Sequence, residues 1–250
     1  MAPNITDIRR RFILQSIRTC FIAFVLLIFP APVLALSLPA ERDIPVDRES
    51  PVQRGDFINR DASETALPDY QSFVAIVRNG EKGVLRGVYV PGVLALPIVQ
   101  QPVGNPGFVS QKNDEITQFK MAAEAGIVGL LAHNHLSGAI FTNLSYGQEV
   151  RLIYGDGTVE YFEIDQILQY QALQPFSPNS EFRDLETNLT ITAEQLFGKV
   201  YRGERHVTFQ TCIDANGNSS WGRLFIIAQP KSFPHVEQQY IRYELLPLLH

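Results

Sequence analysis

The stretch "HVTFQTCID", residues 206–214, holds Cys212, one of two cysteines in a chain of 250 residues. The other, Cys20, falls in an apolar N-terminal segment, so the body of the protein carries a single thiol. Such a thiol bridges two copies, acts as a nucleophile, or sits buried and inert. A nucleophilic cysteine needs a proton partner, and a neighbouring cation favours its thiolate. Arg223 opens the strand-forming run "RLFIIAQ" and stands beside Cys212 if that run pairs with "HVTFQTCI". Among the histidines, His133 and His135 come where the apolar run "IVGLLA" gives way to a Gly-containing loop, a usual place for catalytic side chains on a rigid scaffold. His206 shares Cys212's strand, but six residues of extended chain span about 20 Å, beyond contact. His235 and His250 belong to the C-terminal tail.

A two-residue period puts Val207, Phe209 and Thr211 on one strand face and Thr208, Gln210 and Cys212 on the other. With Val207 and Phe209 as the core pair, the thiol turns to the less apolar side. The loop-like "DANGNSS" that follows puts Cys212 at the strand's end.

The elements that must position these groups are mostly strands. "SFVAIVRN", "GVLRGVYV" and "GVLALPIV" are β-branched runs broken by Gly, Pro and Asn, and "IVGLLAHN" suits a buried strand. "EVRLIY", the turn "GDG" at 155–157 and "TVEYFEIDQIL" form a hairpin. "NDEITQFKMAAEAG" reads as a helix capped by Asn113 or Asp114 and stopped at Gly126. Thr192 and Gln195 make a capping box for a second short helix, "AEQLFGKVY", inside a long irregular connection over 170–205. Many short strands with one or two short helices predict a mostly β barrel or sandwich.

Composition bounds the function. The net charge is −5, and no Lys/Arg cluster follows residue 18, which excludes a nucleic-acid binder. Four arginines against Asp7 give the first 40 residues +3, leaving −8 for the rest. The basic "IRRRFILQSIR", the apolar "CFIAFVLLIF" and the small-residue "PAPVLA" read as an export signal cleaved after Ala35 or kept as a signal-anchor. In both cases the chain beyond residue 40 lies outside the cytoplasmic membrane. The expected organisation is a signal segment over 1–36, a proline- and charge-rich spacer over 37–68, a folded domain over 69–230 and a tail over 231–250.

The ordered set "LLAHNHLSGAIFTNL", "YGQEVRLIY", "VEYFEI", "VTFQTC" and "GRLFII" resembles the sortases, cysteine transpeptidases of bacterial surfaces. The match spans residues 70–229, with Phe141 and Leu144 following His133 at a class B-like spacing. Ala132 and Phe209 depart from the family's usual glycine and leucine, and no family-specific sorting pocket is recognisable. The resemblance implies a closed sortase-type β-barrel of about eight strands, with Cys212 as nucleophile, His133 as proton relay and Arg223 as electrostatic stabiliser. It implies that Thr211 supports substrate binding and that the 170–205 connection borders the groove. The partners implied are a surface protein or peptide carrying a C-terminal sorting signal and an amine acceptor, in peptidoglycan or on a pilin-like lysine. No cofactor and no metal are implied.

Two other classes stay open. His133 and His135 have the His-x-His spacing of a cupin-like metal site. A non-catalytic surface barrel could keep the same residues.

Overall fold

Alternating apolar residues along eight strands close a barrel around one interior. The computed structural model describes residues 67–177 and 179–231; the signal segment, nearly all of the spacer and the tail beyond 231 lie outside the described residues, with Cys20, His235 and His250. The strands are β1 (Leu85–Val90), β2 (Leu94–Gln100), β3 (Ile116–Phe119), β4 (Val128–Leu131), β5 (Glu149–Tyr154), β6 (Val159–Ala172), β7 (Phe182–Asp184), β8 (Thr190–Ile191), β9 (Val207–Ala215) and β10 (Asn218–Pro230). Their order is β10-β9-β4-β3-β2-β1-β5-β6, and β6 pairs back onto β10. This is the eight-strand closure expected, and it removes the open sheet edges that invite association. β7 and β8 continue outward from the end of β6. Two pairings are parallel, β2 with β3 and β4 with β9.

Each barrel strand sends alternate side chains inward, among them Val88, Ile116, Leu130, Leu152, Phe209 and Ile226. Fully burying a side chain of this size contributes on the order of 1.5–3 kcal/mol. A second cluster lies on the outer face of β4 and β10, where Leu131, Phe225 and Ile227 are covered by Leu196, Phe197, Val200 and Tyr201 of helix α3. Sealing that face with a helix makes it a buried layer.

Among the described residues there are three α-helices, α1 (Tyr70–Val77), α2 (Lys120–Glu124) and α3 (Ala193–Tyr201). The capping box read from the sequence starts α3, with Thr192 accepting from Gln195 N at 3.2 Å and Gln195 Oε1 accepting from Thr192 N at 2.9 Å.

Three expectations are corrected. "SFVAIVRN" is helical: Asp69 caps it by accepting from Ser72 N at 3.0 Å, and Phe73 and Val77, one turn apart, pack on Tyr89 and Ile153. β-branched content gave a strand signal that packing overrode. "NDEITQFKMAAEAG" is half strand and half helix, β3 and then α2; only the stop at Gly126, φ 82°, matches. "DANGNSS" is a two-residue hairpin turn, with φ 54° at Asn216 and 74° at Gly217, so β9 and β10 run on to Ala215 and from Asn218. Positive φ at both central residues is the demand that Asn-Gly meets.

Thr192→Ala removes the α3 cap, and urea unfolding should show a loss of about 1 kcal/mol. Unchanged stability would mean that packing alone holds α3 over the outer face.

Candidate active site

Register brings the three chemical groups level. In the antiparallel β9–β10 pair, Cys212 faces Arg223. In the parallel β4–β9 pair, Leu131 is level with Gln210, and Ala132 N donates to Gln210 O at 3.2 Å. Two residues further along each chain come His133 and Cys212. Cys212 and Arg223 are cross-strand partners on the outer face of β9 and β10, and His133 lies two residues past the end of β4, where the β4–β9 register, continued, is level with Cys212. Thr211 projects to the opposite face; its hydroxyl is buried and meets no hydrogen-bond partner among the described residues.

The turn after His133 fixes how the histidine leaves β4. The His133 carbonyl accepts from Leu136 N and Gly138 N, both at 3.0 Å, and the chain enters a 3₁₀ segment, Ser137–Asn143. A Cβ at Gly138 would come within 2.8 Å of Thr211 Oγ1 and the His133 and Ala132 carbonyls, so only glycine allows this approach. Phe141 and Leu144 then reach the barrel interior, Phe141 edge-on to Phe209.

The site is buried. Cys212 is 4% exposed, Arg223 3% and His133 7%. Parity does turn Cys212 away from the core pair, but the other face is a second packed layer, so the expected exposed thiol is instead enclosed. Arg223 Nη1 donates to Ser220 O at 3.0 Å and Gly222 O at 2.8 Å, which fixes the guanidinium beside the thiol. Among the described residues no carboxylate pairs with Arg223. A buried cation without a carboxylate gains from any anion beside it, and Cys212 is the adjacent group that can become one.

Burial pushes the Cys212 thiol above its ordinary range, against the pull of the Arg223 charge and a hydrogen bond from Ser220. Burial also lowers His133, the His135 imidazole adds to this, and a bond to the Val109 carbonyl opposes it. Both shifts favour a neutral thiol beside a neutral imidazole.

Sequence reasoning missed several neighbours. Gln111 Nε2 lies 2.8 Å from His133 Nε2, although 22 residues separate them. Asn134 Nδ2 donates to Ser219 O at 3.0 Å and ties the turn after β4 to the start of β10. Ser220 sits in the register shift between Asn218 and Gly222. None had a sequence signal, because each contact is made by folding alone. His135 stacks obliquely on His133 with centroids 5.4 Å apart. Among the described residues no three His, Cys, Asp or Glu side chains gather into a group that could hold a metal.

No family model matches the chain, and no curated protein matches it. Among solved structures, sortase C-1 from Actinomyces oris is similar at 14% identity, over 66% of this chain and 82% of that one, with a TM-score of 0.40. Sortase A of Listeria monocytogenes is similar at 10% identity, over 60% and 89%, with a TM-score of 0.37. A lid mutant of sortase C1 from Streptococcus agalactiae is similar at 19% identity, over 64% and 75%, with a TM-score of 0.38.

Alkylation of the Cys20→Ser chain across pH should give a Cys212 midpoint above about 8.5, and Arg223→Ala should move it higher. A midpoint at or below 8.5, unmoved by Arg223→Ala, contradicts these electrostatics. Because folding lowers the His133 pKa, the unfolded chain takes up that proton first as pH falls below about 6.5. Stability should drop over that range, and His133→Gln should lessen the drop in urea titrations at pH 7 and 5.

Proposed function

We propose that this chain is a sortase-like cysteine transpeptidase acting outside the cytoplasmic membrane. The observation that carries this is the pairing of Cys212 with Arg223 across β9 and β10 of a closed eight-strand barrel, with His133 just beyond the end of the neighbouring β4. Further support is the chain order of the motifs, which is that of the sequence resemblance, including the class B-like Phe141 and Leu144.

The chemistry follows from the neutral pair. A substrate carbonyl approaches Cys212, whose proton passes to His133 as Sγ bonds to the carbonyl carbon. Negative charge builds on the carbonyl oxygen, and Arg223 stabilises it in a site shut off from water. The intermediate collapses, the amine takes the proton from His133 and leaves, and a thioester to Cys212 remains. An incoming amine then attacks the thioester, gives a proton to His133 and expels the Cys212 thiolate, which recovers that proton. The net result is one amide bond broken and another formed, with no redox step.

The partners proposed are a surface protein with a C-terminal sorting signal and an amine in peptidoglycan or on a pilin-like lysine. Membrane association would run through the N-terminal segment; among the described residues no helix is long and apolar enough to cross a membrane. Thr211, on the opposite strand face, would act on substrate only through the turn at Gly138. The two-histidine metal alternative lacks further ligands among the described residues.

The full chain in detergent, given sorting-signal peptides and an amine acceptor, should release a new amide product by mass. Cys212→Ala and His133→Ala should abolish it, Arg223→Ala should lower the rate about 10²–10³-fold, and His135→Ala should retain it. Product from Cys212→Ala, or loss with His135→Ala but not with His133→Ala, overturns this function.

A further inference from the structure

The connection between β2 and β3 reaches over His133 and is braced from several sides. Gln101 Nε2 donates to the carbonyls of Pro106 and Phe108, both at 3.0 Å. Ser110 N donates to Thr117 Oγ1 at 2.9 Å, and Ser137 Oγ donates to Lys112 O at 3.4 Å. So held, the connection sets Gln111 Nε2 at 2.8 Å from His133 Nε2 and 3.5 Å from Val109 O. An amide nitrogen only donates, so a contact of 2.8 Å requires a lone pair on His133 Nε2. The proton of the neutral ring then belongs on Nδ1.

We propose that Gln111 is a positioning residue: its carboxamide fixes His133 as the Nδ1–H tautomer and keeps Nε2 as the basic nitrogen of the site. The catalytic consequence rests on the transpeptidase function proposed above; the tautomer does not. When Nε2 takes up a proton, the Gln111 N–H would oppose it, and a half-turn of the carboxamide offers Oε1 as acceptor instead. One side chain thereby serves both protonation states without moving the connection. A carboxylate could only accept and an alkyl group could do neither, which separates the three chemistries experimentally. The titratable group that acts on the ring is His135; Cys212 pairs with Arg223 on the neighbouring strands, and Lys112 and Glu115, on the same connection as Gln111, pair with each other.

The test is ¹⁵N NMR of the full chain labelled at histidine, in detergent micelles, with the His133 signals assigned by their loss in His133→Gln. Wild type should show a protonated Nδ1 and a bare Nε2 at neutral pH. Gln111→Leu should lower the share of the Nδ1–H form relative to wild type, the Val109 carbonyl being left as the ring's other hydrogen-bond partner. Gln111→Glu should give Nε2–H and hold the imidazolium to higher pH, and Gln111→Asn should restore part of the wild-type pattern. In peptide transfer, Gln111→Leu should lower kcat about tenfold with little change in KM, part of the ~10²–10⁴ that a positioned acid–base group supplies. Gln111→Glu should move the pH profile toward alkaline pH. Gln111 is exposed, and circular dichroism checks that each variant folds. A wild-type Nε2–H, or one tautomer ratio in wild type, Leu and Glu variants alike, overturns the inference. If the tautomer follows Gln111 but no transfer occurs in wild type, the positioning stands and the proposed function fails.

Discussion

Everything at the site depends on the parallel pairing of β4 with β9. Parallel neighbours cannot be joined by a tight turn, and β4 and β9 are separated by four strands, the 3₁₀ segment and α3 in the chain. That pairing alone makes His133 level with Cys212. A slip of one residue would turn every β9 side chain to the other face and carry the thiol inward, into the place of Thr211 or Ile213. The register is held from both sides. Inside, Leu130 and Phe209 are fully buried; outside, Tyr201 donates to Gln210 Oε1 at 2.6 Å. Gly129 leaves room for Ala122 and Tyr201 to press on β4, where a Cβ would come within about 3 Å of both. The packing that stabilises the barrel is also what aligns the chemistry.

Burial and reactivity pull in opposite directions here. An enclosed set of thiol, imidazole and guanidinium raises the cost of separating charge, and both Cys212 and His133 are shifted toward their neutral forms. The same enclosure strengthens the field of Arg223 on any negative charge that forms beside it. Arg223 is the counterweight, since backbone carbonyls fix its position without cancelling its charge. A carboxylate partner would neutralise the cation that the proposed transition state calls for.

Much of this was legible in the sequence. β-Branched runs marked β1 and β2, an apolar run β4, the GDG hairpin β5 and β6, and a two-residue period β9 with its neighbour β10; the capping box at Thr192 marked α3. Cys212, Arg223 and His133 stood out by type; the strand ends expected at Cys212 and Arg223 are overturned, because β9 runs on to Ala215 and β10 begins at Asn218. Legibility failed where tertiary contacts overrode local preference. Asp69's cap and the Tyr89 contact made a helix of a β-branched run, and α3 turned a polar-looking strand face into a buried layer. Asn216-Gly217 carries a plain hairpin-turn signal within the loop-like DANGNSS, since both residues take a positive φ. β7 and β8, of three and two residues, are too short to show a period. Gln111, Asn134 and Ser220 carry no pattern, since their meaning comes from residues distant in the chain.

The central claim is that Cys212 forms a covalent acyl intermediate. Intact-mass analysis of the full chain, acid-quenched during turnover of a sorting-signal peptide without acceptor amine, tests it directly. A mass gain equal to the acyl fragment, localised to the peptide that contains Cys212 and discharged by hydroxylamine, is the expected result. Turnover of that peptide with no adduct on Cys212, or with an adduct elsewhere, would contradict it.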